Sequence, residues 1–478
     1  MLFDSIEFVF FLPIVFSIYW LLGKANIRRQ NVLLIVASYV FYGWWDWRFL
    51  LLIFFSSGVD YLVGIGLSKT NQSRARKQLL WLSILFNVGL LAVFKYYDFF
   101  ATSLAQAFTL LGQPLDPRLL NVVLPVGISF YTFQTISYSI DVYRKKLEPT
   151  RDPVSFFAFV SFFPQLVSGP IERATHLLPQ FQRPREFSYD KAVDGMRQIL
   201  WGFFKKVVIA DNCAKIVDFV FTLPGEFNGS TLAFGAIFFA VQVYCDFSGY
   251  SDIAIGTARL FGFDLKANFR FPYFSRDIGE FWRRWHISLF TWFRDYIYIP
   301  LGGSRQGVWK SLQNVFVVFI VSGLWHGASW KFFFWGILNG IYFLPVILNK
   351  NRKKRSNVVA QGRLLPNLIE LSQMGGTMVL IVLAFVVFRV ENIHDAVIYM
   401  QTLFSDTILD RVQIPQNVTF APLILLLFVV EWLSRERLHG LEGVARFKKA
   451  TRWLIYMSLI LIIVLFKGES QEFVYFQF

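Results

Sequence analysis

Residues 1–23 read MLFDSIEFVFFLPIVFSIYWLLG, and the uncharged run from Phe8 to Leu22 decides the fold class. A helix needs roughly twenty mostly apolar residues to cross a bilayer, and this run is close to that length. The first charges are Asp4 and Glu7 rather than Lys or Arg, and no Ala-x-Ala-like cleavage site follows. The stretch therefore reads as a retained first membrane helix and not as a cleaved signal peptide. The same pattern recurs along the chain. Candidate spans fall at about 7–23, 31–46, 48–67, 79–97, 120–141, 153–170, 196–222, 230–248, 313–328, 332–349, 372–390, 417–434 and 452–467. Eleven to thirteen of these are expected as helices, some of them re-entrant or interfacial.

Composition agrees. Of 478 residues, 55% are hydrophobic, 19% aromatic and only 17% charged, and mean hydropathy is +0.47. Fifty-six Phe and fifteen Trp are more than a water-soluble core can hide. A soluble globular enzyme, a disordered chain and a fibrous one are excluded; an all-α polytopic membrane protein is expected. The net charge of +15 lies in short clusters between apolar runs. That is the signature of positive-inside topology, and no nucleic-acid-binding motif accompanies it. Arg28 and Arg29 with Lys24, then Lys69 to Lys77, then Arg144 to Arg151 mark cytoplasmic loops and put the N-terminus outside. The densest cluster is Lys350 with Arg352 to Arg355. Cys213 and Cys245 have neither metal-ligand nor redox spacing and read as buried, unpaired thiols.

Residues 171–195 are polar and follow a break at Ser168-Gly169-Pro170. Residues 264–312 mix aromatics with charges. Within them, 281–293 read as one amphipathic helix, with Trp282, Trp285, His286, Leu289, Phe290 and Phe293 on a stripe. Arg284 lies opposite that stripe, and Arg283 and Arg294 flank it. The helix can lie at the membrane interface, or pack into the bundle with its arginines paired to Asp277, Glu280 or Asp295.

Ionisable groups at membrane depth are expensive, so they are candidates for function. His326 follows an apolar run and sits among small residues and two tryptophans, in VSGLWHGASW over 321–330. A neutral imidazole can take a proton from a hydroxyl near physiological pH. The bland alternative is a structural histidine bonded to a backbone carbonyl. His286, on the apolar stripe, is open to the same two readings. His176, His394 and His439 have loop-like or interfacial surroundings. No histidine pair has metal-binding spacing on one helix, and neither a G-x-S-x-G elbow nor a P-loop occurs. No metal is expected. In YCDFSGYSD over 244–252, Asp246 and Asp252 can orient a histidine, pair with an arginine, or cap a broken helix. The stretch PVGISFYTFQ over 125–134 reads as a helix-packing surface.

Taken in order, these stretches resemble the membrane-bound O-acyltransferase superfamily, most of all its alginate O-acetylation protein I type. They are VLLIVASYVFYGWW at 32–45, LPVGISFYTF at 124–133, FPQLVSGP at 163–170, DFSGYSDIAIG at 246–256 and NFRFPY at 268–273. EFWRRWHISL at 280–289, WFRDYIYIPLGG at 292–303, GLWHGA at 323–328 and the tail FVYFQF at 473–478 complete the set. Their order over nearly the whole chain carries the resemblance. It implies that His326 matches the superfamily's catalytic histidine and His286 its second, motif-embedded one. It implies a single membrane domain over 1–478, with a catalytic core over 120–349 and a helical ring around a central tunnel. The donor, acetyl-CoA or another acyl thioester, would enter from the cytoplasm and the acceptor from the far side, with no bound cofactor.

Trp325, Asp246, Arg283 and Asn339 are the expected substrate-binding residues. The expected partners are an extracytoplasmic SGNH-type acetyltransferase, the polysaccharide export machinery and membrane lipids, with no nucleic acid, in the bacterial cytoplasmic (inner) membrane. One departure stands out: the W-G-x-x-x-G segment reads WGILNG over 335–340, placing Asn339 where many relatives carry a histidine. The rival activities are D-alanyl transfer to teichoic acid and non-catalytic transport of acyl groups or polysaccharide.

Overall fold

The computed structural model describes residues 1–478 apart from 24, 25, 126, 168, 350–357, 414–417, 468–470, 472 and 475–478. The basic cluster at Lys350 and Arg352 to Arg355 lies outside the described residues, as do Lys24, Ser168 and the end of the aromatic tail, Tyr475 to Phe478. Among the described residues, regular structure is helix alone. Packing divides the chain into two compact units, residues 1–193 with 257–266 and residues 194–256 with 267–478.

In the first unit the helices are α1 (Ile6–Leu21), α2 (Ile27–Gly43), α3 (Phe49–Lys69), α4 (Ser73–Leu91), α5 (Tyr97–Leu110), α6 (Ile128–Tyr143), α7 (Pro153–Ser161), α8 (Phe163–Leu166) and α9 (Ala174–Phe181). A π-turn at Ala92–Tyr96 joins α4 to α5, so 73–110 run as one long apolar helix. Local chemistry sets several ends. Asp152 caps α7 by accepting from the Val154 and Ser155 amides at 3.1 Å, with Pro153 in the first turn, where its missing N–H costs nothing.

Two expected spans are differently built. The one at 120–141 becomes helical only at Ile128, because Gly127 turns the chain at φ 75° and its backbone lies against the Leu166 carbonyl. The one at 153–170 breaks at Phe162 into α7 and the single-turn α8, which has Pro164 in its first turn. The hydroxyl-rich α6 packs on α3 and α4. The buried Asp60 carboxylate joins these three helices, accepting from Asn87 Nδ2 at 2.7 Å, from Ser139 Oγ at 2.7 Å and from the Ser83 hydroxyl. Polar groups sealed inside a membrane bundle act as glue of this kind.

The second unit takes α10 (Tyr189–Phe203) from residue 194 onward, which leads through a π-turn into α11 (Asp211–Thr222), followed by α12 (Gly229–Leu260) as far as residue 256. Two short helices, α13 (Ile278–Trp282) and α14 (Ile287–Phe293), precede the long α15 (Val308–His326), α16 (Trp330–Leu348) and α17 (Leu368–Arg389). α18 (Ile393–Leu403), α19 (Ala421–Leu433) and α20 (Lys449–Leu465) complete it. Its core is aromatic, with Trp201, Phe239, Tyr244, Trp285, Phe319, Trp335 and Phe385 all buried. α15 and α16 pack closely because a β-carbon at Gly323 would stand 2.1 Å from the Phe332 carbonyl oxygen, and one at Gly336 would stand 2.5 Å from that of Phe319.

Six helices among the described residues are long and apolar enough to cross a membrane: 49–69, 73–110, 229–260, 308–326, 330–348 and 368–389. The shorter α1 and α19 are apolar as well. The remaining expected spans are realised as short or interrupted helices.

Candidate active site

Residues 281–293 do not form the single amphipathic helix that their periodicity predicts. α13 starts at Asp277, whose carboxylate accepts from the Glu280 amide at 2.8 Å, and stops at Trp282. α14 starts only after His286. The cause lies outside the segment. Asn268 accepts from Ile287 N through its carbonyl at 2.9 Å and from Ser288 Oγ through its side chain at 2.9 Å, while Arg270 N donates to the Arg284 carbonyl at 3.0 Å. These bonds satisfy the backbone in place of helical ones.

His286 takes up the turn at φ 43°, ψ 52°, a left-handed conformation that costs a residue with a β-carbon about 1–2 kcal/mol. The break also inverts the expected pattern of exposure. Arg284, expected on the outer face, is buried and bonded to Glu280 at 2.9 Å and to the Arg270 carbonyl at 3.1 Å. Arg276 shares the Glu280 carboxylate at 2.9 Å. Arg283 is exposed, and Arg294 pairs with Asp295 at 2.8 Å near the surface.

His326 is the last residue of α15, and Gly327 turns the chain into extended conformation. Its ring lies 4.9 Å from Trp325, 5.2 Å from Trp335 and 5.3 Å from Phe388, centroid to centroid. The His286 ring lies 4.6 Å from Phe247 and 6.0 Å from Trp325. Trp325 therefore touches both histidines. Both imidazoles line one small, partly open cavity walled by aromatic and aliphatic groups including Trp282, Trp285 and Phe319, with Ser322 as its hydroxyl. Burial, with His326 close by, holds the His286 pKa well below the ordinary histidine value. At neutral pH it is an uncharged ring that can accept or donate a hydrogen bond. Two imidazoles on an apolar cavity can move a proton and polarise a carbonyl where water is scarce.

The other sequence-derived candidates fall at varying removes. Trp325 is buried within ring contact of both histidines but is not part of the cavity lining. Asp246 pairs with Lys206 at 2.8 Å and accepts from Val474 N at 2.7 Å. Its neighbour Phe247 is the residue that packs on His286. Asp252 pairs with Lys205 at 2.6 Å. Asn339 is fully buried and donates to the Trp335 carbonyl of its own helix at 2.9 Å, one turn from the ring that backs His326. Arg283 and Asn339 do not line the cavity.

Of the other histidines, His176 pairs with Glu172 at 2.8 Å, His439 with Asp194 at 3.1 Å, and His394 is exposed. Both cysteines are buried and unpaired. Among the described residues no three His, Cys, Asp or Glu side chains gather as metal ligands would. Sequence reasoning missed Asn268, which braces the His286 turn, and Phe388, which α17 brings to His326. Both contacts cross long stretches of chain and leave no local periodicity.

Relatives were found across most of the chain. The model for the membrane-bound O-acyltransferase family matches residues 149–386. The probable alginate O-acetylase AlgI of Pseudomonas putida is 40% identical, over 85% of this chain and 80% of that protein. The peptidoglycan O-acetyltransferase of Helicobacter pylori is 35% identical, over 83% of this chain and 78% of that protein. The teichoic acid D-alanyltransferase of Bacillus subtilis is 28% identical, over 46% of this chain and 58% of that protein. Identity of this order, sustained over four-fifths of a relative's length, places the chain in the membrane-bound O-acyltransferase family, as a multi-pass membrane acyltransferase of the alginate O-acetylase-like kind.

Proposed function

We propose that this protein moves an acetyl group from acetyl-CoA in the cytoplasm to a hydroxyl acceptor on the far side of the bacterial cytoplasmic (inner) membrane, for O-acetylation of an alginate-like exopolysaccharide. The observation that carries the reading is the placement of His326 and His286 on one apolar-walled cavity. His326 is the general base. It takes the proton of the acceptor hydroxyl as that oxygen bonds to the thioester carbonyl carbon, and the carbonyl electron pair moves onto oxygen. Collapse re-forms the carbonyl and breaks the carbon–sulfur bond. The leaving thiolate takes the proton back from the imidazolium, so His326 ends as it began.

His286, neutral and fixed by its turn, orients one of the reacting groups. Trp325, packed on both rings, helps hold each in place. Asp246, Arg283 and Asn339 act from outside the cavity: Asp246 by holding the helix behind Phe247, Asn339 by steadying the turn that carries Trp335. The acceptor is a hydroxyl on an extracytoplasmic SGNH-type acetyltransferase that works with the polysaccharide export machinery. The acetyl reading is favoured over D-alanyl transfer by the extent of the likeness, which covers 85% of the chain for the alginate relative against 46% for the teichoic acid one.

The test uses sealed vesicles holding acetyl-labelled CoA inside and the partner with its polysaccharide outside. Native protein delivers label to the outer polymer. His326→Ala, matched for amount, is expected to lose about 10²–10⁴-fold, the usual contribution of a general base. Equal delivery by both would make the chain a conduit and end the catalytic assignment. A D-alanyl-loaded carrier protein that outcompetes acetyl-CoA would replace the donor.

A further inference from the structure

Ser322 sits four residues before His326 on α15, so the two side chains share one helix face a turn apart. Both line the cavity, and Ser322 is only 6% exposed. A hydroxyl inside a helix ordinarily bonds the carbonyl four residues back. Thr291 does so at 2.8 Å, as do Ser161 and Thr377 at 2.8 Å. Ser322 makes no such bond and has no hydrogen-bond partner among the described residues. Its Oγ is not among the partnerless atoms sealed from solvent, so it opens onto the cavity, where it can bond whatever enters. The rest of the lining is aliphatic, aromatic or imidazole. Two indole nitrogens there also lack a partner: Trp282 Nε1 is fully enclosed in the wall, and Trp285 Nε1 is not, but only Ser322 lies one helical turn from His326 on the same face.

We infer that Ser322 is a catalytic residue whose Oγ–H donates to the acyl carbonyl oxygen and stabilises the oxyanion that forms there. The inference rests on the acyl-transfer reading above. The proton stays on Ser322 Oγ throughout, while the acceptor's proton travels through His326, so no acyl-serine forms. A preorganised donor in an apolar-walled site acts mainly on the transition state, because the oxyanion attracts the hydroxyl far more strongly than the neutral carbonyl does.

The experiment measures kcat and KM for acetyl-CoA in the vesicle assay for native protein, Ser322→Ala and Ser322→Thr, with thermal unfolding in detergent alongside. Ser322→Ala is expected to lose about 10²-fold in kcat with KM changed less than about threefold, the pattern of an interaction made only in the transition state. Ser322→Thr keeps the hydroxyl and is expected to restore most of the rate. Native-like kcat in Ser322→Ala overturns the inference. So does an equal loss in Ser322→Ala and Ser322→Thr, which would mean packing, and so does an acetyl ester recovered on Ser322 by mass spectrometry, which would mean a nucleophile. If Ser322→Ala does not assemble, Ser322→Cys takes its place, since a thiol is a weak donor of similar size. It is expected to be at least about tenfold slow, and native-like rate again overturns the inference. Native vesicles with no transfer from acetyl-CoA would overturn both the donor assignment and this inference. Active native vesicles with full-rate Ser322→Ala would overturn this inference alone.

Discussion

Gly323→Ala should cost turnover heavily while leaving a folded protein. The methyl group would stand 2.1 Å from the Phe332 carbonyl oxygen, 3.0 Å from the Phe332 carbonyl carbon and 3.4 Å from Gly336 N. Backbone cannot swing aside as a side-chain tip can. To bring the closest contact out to 3.0 Å, the shortest spacing that β-carbons tolerate, α16 must retreat from α15 by at least about 0.9 Å. α16 carries Trp335, whose ring is 5.2 Å from His326, while Phe332 rests on Phe388, itself 5.3 Å from His326. The wall behind the imidazole therefore moves with the helix. Misplacing a reacting group by about 1 Å costs on the order of 10²-fold in rate. Overpacking of this kind also costs about 1–3 kcal/mol of stability, visible as a lowered Tm.

The assay pairs initial rates in the vesicle system with thermal unfolding in detergent. Gly375→Ala on α17 is the control, because its added methyl group would meet nothing within 4 Å. There the gain in helix propensity of about 0.5–1 kcal/mol should show alone. Native-like turnover in Gly323→Ala would refute the argument that close contact between α15 and α16 fixes the position of His326.

Other predictions follow from the same packing. Burial by itself would raise the Glu280 pKa, but hydrogen bonds from Arg276 and the charge of Arg284 more than offset it and hold the carboxyl below its ordinary value. Glu280→Gln removes the carboxylate that Arg276 and Arg284 share, leaving Arg276 the longer contact to Glu370 at 3.7 Å, and is expected to cost up to about 3–5 kcal/mol, read as a fall in Tm; an unchanged Tm would refute a structural role for this ion pair. His286 has a depressed pKa, so below about pH 6.5 the unfolded chain binds a proton that the folded one resists, and stability should fall with pH at up to about 1.4 kcal/mol per unit. His286→Asn removes that titration and still suits the left-handed turn, so the acid limb of its stability profile should be shallower than that of native protein. Parallel profiles would show that His286 is not held neutral by its burial beside His326.

Much of the fold was legible from residues alone. The apolar runs that became α3, α15, α16 and α17 agree with their expected spans to within a few residues, because burying apolar side chains and satisfying every backbone amide in lipid leave the helix as the only solution for a lone segment. The two histidines were legible too, His326 from its small neighbours and His286 from its place on an apolar stripe. The shape of the 281–293 segment was not. Its 3.6-residue period is real, but hydrogen bonds to Asn268 and Arg270 outweigh it, and periodicity carries no information about a competing partner elsewhere in the chain. The partner of Asp246 was not legible for a similar reason. A carboxylate beside a helix break suits a cap or a histidine partner, and its choice of Lys206 depends on the π-turn that brings that ammonium within 2.8 Å.

By itself, the sequence determined a helical membrane protein, the family, and the histidines worth testing, because these follow from composition, period and motif order along one dimension. Only the tertiary structure decided that His286 and His326 share a cavity, that Trp325 packs on both and that Ser322 joins them there. Those relations depend on how closely α15 and α16 approach and on a turn held from a distant loop. A contact between remote residues is a property of packing and cannot be read from the local pattern of either residue alone.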